Sequence, residues 1–220
     1  MVPPTVPAHE KKNPTTTLWI VVGGLLVVVI AIAAVIAITG GNDTNKVGPL
    51  SPYAEEFRPV HVTGTALPKM TESGPDAAVG LQAPQLDGAS FDGTAVSLKP
   101  GEPTLVVLVA HWCPHCQREV PRLVQWKEDG GVPEGVQIVG ISTSANAQNP
   151  NWPPSAWLTK EGFAWPVLVD SAKQEAADAM GLAGFPTFVF LDAEGKVLFR
   201  TSGEVEMNAL HDMIVKALGT

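Results

Sequence analysis

The sequence predicts an α/β sandwich with a mixed central sheet over residues 79–220. Apolar runs of strand length, led by Thr104–Ala110, alternate with amphipathic helical patterns, which is typical of a parallel sheet covered by helices. The last two apolar runs, Thr187–Leu191 and Lys196–Thr201, are joined by a short turn at Ala193–Gly195, and this spacing predicts a hairpin. Because a hairpin adds an antiparallel edge, we expect the sheet to be mixed.

The remaining elements follow from local patterns along the chain. After the first apolar run, apolar positions from Cys116 to Val124 recur at helical spacing, and Gly130-Gly131 ends this helix. The other predicted elements are a short strand within Pro59–Leu67, strands at Ala95–Leu98, Val136–Ile141 and Trp165–Val169, and helices over Trp152–Glu161, over Ser171–Gly181 with a Ser171–Gln174 capping box, and from Glu206 onward.

One segment near the N-terminus has the length and composition of a membrane span. Residues Leu18–Ile38 carry no charge and would extend over roughly 30 Å as a helix, about the thickness of a bilayer core. Lys11 and Lys12 precede the segment, so the positive-inside rule predicts a cytoplasmic N-terminus. We expect a single-pass signal-anchor in the cell membrane with the C-terminal domain outside the cytoplasm. A cleaved signal peptide is the alternative, although its apolar core would be shorter.

The predicted organisation therefore has four parts. Residues 1–17 form a disordered cytoplasmic tail, 18–38 the transmembrane anchor, 39–78 an extracytoplasmic linker with a possible short strand, and 79–220 the folded domain. The formal net charge of −8 lacks the basic footprint of a nucleic-acid binder, so no nucleic-acid partner is expected.

Two cysteines, Cys113 and Cys116, are the only ones in the chain. A disulfide across this spacing closes too small a loop to restrain the unfolded chain, which indicates redox chemistry instead. The pair lies where the predicted strand gives way to a helix, and the unpaired N–H groups of a helix N-terminus favour a thiolate. We expect Cys113 to be the attacking nucleophile and Cys116 the resolving thiol, with a reversible disulfide between them.

The chain resembles the thioredoxin superfamily, and within it the membrane-anchored TlpA-like extracytoplasmic thioredoxins. The likeness rests on Trp112–Cys116, a CPHC motif preceded by tryptophan, on Pro121, on Gly184–Thr187 and on Val79–Pro84. It implies a thioredoxin-like fold, thiol–disulfide oxidoreductase activity and no cofactor.

The resemblance also implies roles for three residues around the cysteines. Pro186 is expected to follow a cis peptide bond, which leaves the backbone of Phe185 free to pair with an extended client peptide. Trp112 is expected to pack beside the cysteines and to limit water, with ordinary core packing as the alternative.

The residues near the cysteines favour opposite directions of electron flow. A protonated His115 would stabilise the thiolate and make the disulfide more oxidising, and the Pro-His dipeptide resembles that of the periplasmic disulfide oxidase. Glu119 matches the TlpA-like pattern and could exchange a proton with Cys116, with a solvated helix carboxylate as the alternative. Val107 stands where thioredoxins proper carry a buried aspartate, which again slightly favours an oxidant.

We therefore expect an extracytoplasmic thiol–disulfide oxidoreductase acting on protein thiols and disulfides, with oxidation slightly favoured. A dedicated thiol reductant, for example in cytochrome c maturation, is the alternative. Either direction needs a membrane redox partner, because the apolar segment Leu18–Ile38 contains no cysteine.

Metal-based functions are less well supported. A copper carrier would use the two cysteines with His111 or His115, since thiolates suit Cu(I). His61, His111 and His211 are too scattered to complete a zinc site, so no bound metal is expected. Gln117 stands where a c-type haem site needs histidine.

Overall fold

The computed structural model describes residues 56–71 and 74–219. The predicted tail, the predicted anchor and most of the predicted linker lie outside this part of the chain. Within it, no helix combines the length and the apolarity needed to cross a membrane. Its elements are, in chain order, β1 His61–Thr63, β2 Gln85–Ala89, β3 Ala95–Leu98, β4 Thr104–Val109, α1 Pro114–Glu128, β5 Gln137–Ser142, α2 Pro154–Lys160, β6 Val167–Val169, α3 Glu175–Ala179, β7 Thr187–Leu191, β8 Val197–Ser202 and α4 Met207–Leu218.

The central sheet has five strands in the order β6-β5-β4-β7-β8. Strand β4 pairs in parallel with β5 and antiparallel with β7, and the β7–β8 hairpin forms an antiparallel edge. In this register Val107 lies between Gly140 of β5 and Phe188 of β7. The predicted mixed sheet is therefore confirmed.

A second, three-stranded antiparallel sheet is formed by β1, β2 and β3. Strand β1 falls inside the segment 39–78, where the sequence allows a short strand. Leu67 and Ala78 are buried in the same core as Leu86 of β2, so residues before Val79 also pack against the domain.

Strand β4 divides the interior into two cores because its side chains alternate between the faces of the sheet. Val106 and Leu108 join the core beneath the smaller sheet, whereas Val107 and Val109 join the core beneath α1, α2 and α4. Every residue of β4 is buried, which explains its unbroken apolar run. The carboxyl end of this central strand leads directly into the cysteine motif and gives the motif a rigid support.

The helix predicted from Ser171 is shorter than expected, and its predicted capping box is wrong. Helix α3 begins at Glu175, and its backbone N–H groups at Ala176 and Ala177 donate to the buried carboxylate of Asp170, at 2.8 and 3.1 Å. Gln174 instead accepts a hydrogen bond from the Ser144 hydroxyl at 2.7 Å. The Ser171 hydroxyl still accepts the backbone N–H of Glu175, at 3.4 Å, so the buried acid adds to this local contact while the predicted Gln174 half of the capping box is absent.

Candidate functional site

Cys113 occupies the N-cap position of α1, with extended backbone and Pro114 in the first turn. Its backbone N–H donates to Ala110 at 3.0 Å, and its carbonyl accepts from Gln117 at 3.0 Å. The residue is 6% exposed, whereas Cys116 is fully buried one turn further on. The two cysteines are not joined by a disulfide in this structure. Cys113 is thus the more accessible sulfur, as expected for an attacking nucleophile.

Glu119 is a buried carboxylate on the inner face of α1 and is 1% exposed. One oxygen accepts the backbone N–H of Val205 at 2.8 Å, and the other accepts Arg122 Nη1 at 3.1 Å. Burial raises the pKa of Glu119, and the Val205 N–H and Arg122 lower it by a smaller amount. The predicted alternative of a solvated helix carboxylate does not describe this side chain.

The surroundings of Cys116 disfavour its thiolate. Burial is the main reason that the pKa of the Cys116 thiol is raised, and the nearby charges of Cys113 and Glu119 raise it further. A buried thiol of this kind stays protonated at neutral pH unless a base takes its proton. Glu119 is the buried carboxylate one turn further along the same helix.

His115 lies on the outer face of α1, with a side chain that is 58% exposed. Its Nδ1 donates to Glu204 Oε1 at 2.7 Å, and Arg118 Nη2 lies 3.0 Å from the same nitrogen. Because Nδ1 donates its proton to the carboxylate, it cannot also accept from Arg118, so the side-chain hydrogen bond of His115 among the described residues is the one to Glu204. The structure places the imidazole beside a carboxylate from the loop after β8.

Glu204 is the first of two residues near the cysteines that the sequence did not indicate. It is 89 residues away from His115 in the chain, and no local motif marks it. Hydrogen bonds from Arg118 and then His115 lower the pKa of Glu204 to about 2. Glu204 is therefore an ionised carboxylate at neutral pH, beside the first turn of α1.

Phe185 and Pro186 form the wall opposite the cysteines. The Phe185–Pro186 peptide bond is cis, as the resemblance implies, and the Phe185 carbonyl oxygen lies 3.9 Å from Cys113 Sγ. The ring of Trp112 meets the ring of Phe185 edge to face, with centroids 5.8 Å apart, and its indole N–H donates to the Ser144 carbonyl at 2.8 Å. Trp112 is thus packed beside the cysteines, and Ser144 is a second contributor that the sequence did not indicate.

His111 lies two residues before Cys113 and is 1% exposed. Its Nε2 accepts the backbone N–H of Asn146 at 3.1 Å, so the proton is on Nδ1, which donates to the Pro150 carbonyl at 2.7 Å. Burial lowers the pKa of this imidazole. Both ring nitrogens are therefore engaged in holding the loop after β5, and neither is free to bind copper.

The other predicted histidines do not gather at the cysteines either. His211 contacts the Gly131 carbonyl at 2.8 Å at the far end of α1, and His61 lies in β1. Within residues 56–71 and 74–219, no cluster of three or more histidine, cysteine or acidic side chains has the arrangement of a metal site. The geometry therefore directs attention to sulfur chemistry at Cys113 and Cys116.

The fold and this site define a thioredoxin-like protein, and comparison with known families agrees. The Redoxin family model matches residues 63–214, so the chain belongs to the Redoxin family.

Two proteins similar to this chain are thiol:disulfide interchange proteins. The thiol:disulfide interchange protein HelX of Rhodobacter capsulatus is 28% identical over 151 residues, which are 66% of this chain and 77% of that protein. The thiol:disulfide interchange protein DsbE of Pseudomonas aeruginosa is 26% identical over 144 residues, covering 64% and 75% of the two chains.

A solved structure extends the likeness to the fold. The crystal structure of a thioredoxin-family thiol:disulfide interchange protein from Chlorobium tepidum is 27% identical, with a TM-score of 0.51, and the match covers 68% of this chain and 100% of that one. The protein is thus a thiol–disulfide oxidoreductase of the thioredoxin superfamily, as the sequence predicts.

Proposed function

We propose that the protein is a reductant of protein disulfides, held outside the cytoplasm by the segment 18–38. The observation that carries this direction is the 2.7 Å contact between His115 and Glu204. The sequence argument for an oxidant required the imidazole charge to act on the Cys113 thiolate, and that charge is instead opposed by a carboxylate. The relatives also favour the reductant over the oxidant.

The proposed reaction begins at Cys113. Its thiolate attacks one sulfur of a client disulfide, so a mixed disulfide forms and the second client sulfur leaves as a thiolate that takes up a proton. Cys116 then passes its proton to Glu119 and attacks the Cys113 sulfur. The client sulfur bound to Cys113 leaves as a thiolate and takes up the proton that Cys116 gave to Glu119, which restores the Glu119 carboxylate. Both client sulfurs are then thiols, and two electrons have moved from the Cys113–Cys116 pair to the client. A partner that supplies two thiol electrons must then reduce the pair again.

The surface beside Cys113 suits an extended client segment. A cleft of about 750 Å³ is lined by Gly184 and Phe185, by Ser202 and Gly203, which lie next to them, and by His115. The Phe185 carbonyl lies at the Cys113 end of this cleft, at 3.9 Å from the sulfur. We propose that client backbone lies along the cleft while its disulfide reaches Cys113.

The reduction potential of the full-length chain, solubilised in mild detergent and equilibrated in glutathione buffers, tests the direction. Because the chain has only two cysteines, the oxidised fraction can be read directly by thiol alkylation and mass. A value of about −250 mV or below supports a reductant, whereas about −120 to −180 mV indicates a disulfide donor or isomerase. A disulfide donor is the second candidate function. It is supported by the dipeptide Pro114-His115 between the two cysteines, which resembles that of the periplasmic disulfide oxidase.

The membrane anchor and the redox partner are parts of the same proposal. The uncharged segment Leu18–Ile38 supports the anchor. Extraction of cell membranes with alkaline carbonate should leave the protein in the membrane fraction. Release into the soluble fraction would instead support cleavage or a different location.

A further inference from the structure

One carboxylate on the outer side of the cysteine motif faces three basic side chains of α1. Glu204 Oε1 accepts Arg118 Nη2 at 2.5 Å and Arg118 Nε at 3.0 Å, in addition to its contact with His115. Arg122 Nη1 approaches the other oxygen at 3.9 Å. The loop after β8 thus supplies the negative charge that the first turns of α1 lack, since no acidic residue lies in the first turn.

We infer that Glu204 is a positioning residue that neutralises the positive charge of His115 and Arg118 and so limits their stabilisation of the Cys113 thiolate. The inference rests on the proposed exchange reaction at Cys113, and it goes beyond that proposal by naming the group that sets the redox balance.

Arg118 connects the cluster to the reactive sulfur. Cys113 is the N-cap of α1, His115 lies in the first turn of that helix, and Arg118 Nη2 lies 3.0 Å from His115 Nδ1, so both cationic groups are close to the end of the helix that carries the sulfur. A cation near the sulfur stabilises the thiolate and therefore the reduced form of the pair, which makes the disulfide more oxidising. A carboxylate on that cation has the opposite effect.

The position of Glu204 is fixed by its neighbours on the loop. The backbone N–H of Val205 donates to buried Glu119, and the Val205 carbonyl accepts Arg122 Nη2 at 3.2 Å. The Glu204 side chain is 29% exposed, which leaves its ion pairs partly shielded from water. The carboxylate is therefore held over α1 before any client arrives.

The matched test compares Glu204→Gln with Glu206→Gln. Glu206 lies two residues further along, is 85% exposed and contacts Arg122 at 2.9 Å, so its variant removes the same charge without touching His115 or Arg118. In the full-length chain we expect E204Q to lower the equilibrium constant for oxidation by glutathione disulfide about tenfold, equivalent to about +30 mV, because a tenfold change corresponds to 29.6 mV. E206Q should change it less than about twofold.

Arg118→Met keeps the inference testable if E204Q folds poorly, and a double variant tests it further where E204Q folds. Arg118→Met removes the cation coupled to Cys113, so it should shift the equilibrium constant in the opposite direction to E204Q. His115→Ala should have a larger effect in the E204Q background than in the wild type, because Glu204 no longer opposes the imidazole. Equal shifts for E204Q and E206Q, or an unchanged constant in both E204Q and R118M, would overturn the inference.

The test of Glu204 can be distinguished from the test of the proposed direction of electron flow. The wild-type potential alone decides between reductant and donor, whereas the inference depends only on differences between variants. A donor-like wild type with a further shift in E204Q would refute the proposed direction and support the role of Glu204.

Discussion

The inner and outer sides of the cysteine motif use the same kinds of residue in different surroundings. On the inner side, His111 and Glu119 are each 1% exposed and bonded to backbone groups of distant loops. On the outer side, His115 is 58% exposed and Glu204 is 29% exposed, and their partners are charged side chains. Each histidine is two residues from Cys113, so distance along the chain does not decide its role.

This comparison shows that burial decides what each side chain contributes. Buried side chains hold hydrogen bonds that water cannot replace, whereas exposed ones mainly change the charge near the cysteines. Removing a buried partner leaves another group without its hydrogen bond in a place that water does not reach, which costs about 1–3 kcal/mol. Exposed ion pairs are screened and individually contribute about 0–1 kcal/mol. Substitutions on the inner side should therefore have large effects on catalysis or folding, and those on the outer side should mainly affect the redox balance.

The largest expected effect is on the second step of the reaction in Glu119→Gln. Glutamine can still accept the Val205 N–H, but it cannot take the proton of Cys116, so resolution of the mixed disulfide should slow about 100-fold. The measurement is the lifetime of the protein–glutathione mixed disulfide. Samples are quenched with acid at successive times, and the mixed disulfide is quantified by mass spectrometry. Glu128→Gln, an exposed position at the other end of α1, is the control and should resolve at the wild-type rate. Wild-type resolution in E119Q would exclude Glu119 as the proton acceptor.

His111→Ala should cause the largest loss of stability. The substitution leaves the Asn146 N–H and the Pro150 carbonyl without their partner and removes a ring that packs against Trp152. We expect the free energy of unfolding to fall by about 2–3 kcal/mol, measured by chemical denaturation of the full-length chain. A loss below about 0.5 kcal/mol would show that the loop after β5 does not depend on this histidine.

The pH dependence of unfolding should also differ between the buried His111 and the exposed His115. The pKa of His111 is lowered in the folded protein from its ordinary value of 6.5, so the unfolded chain binds the proton more readily. Stability from this group is present above about pH 6.5 and is lost as the pH falls towards the folded-state pKa, by about 1.4 kcal/mol for each unit between the two. Denaturation curves between pH 8 and pH 5 should show this decline in wild type and H115A. A decline of the same size in H111A would assign it to another group.

The sequence predicted the parts of the site that are local. The unbroken apolar run of β4 and the helical spacing after Cys113 are set by short-range patterns, and both place the cysteines correctly. The cis bond before Pro186 was available only from the resemblance.

What the sequence could not supply are contacts between distant segments. Glu204 reaches His115 across 89 residues. Asp170, buried before α3, accepts two backbone donors of that helix, which the local pattern at Ser171–Gln174 did not indicate. The expectation of an oxidant was made without knowledge of one of these distant contacts. Proximity of His115 to Cys113 was visible in the motif, but the carboxylate opposing its charge was not.

The smallest expected effect is on stability in His115→Ala. The side chain is mostly in water, and Arg118 retains its two hydrogen bonds to Glu204 when the imidazole is removed. The free energy of unfolding should therefore change by less than about 0.5 kcal/mol, in denaturation curves run beside those of H111A. A loss approaching that of H111A would mean that the outer cluster supports the fold as well as the redox balance. In that case the shift expected for E204Q would have to be separated from partial unfolding by its near-UV circular dichroism.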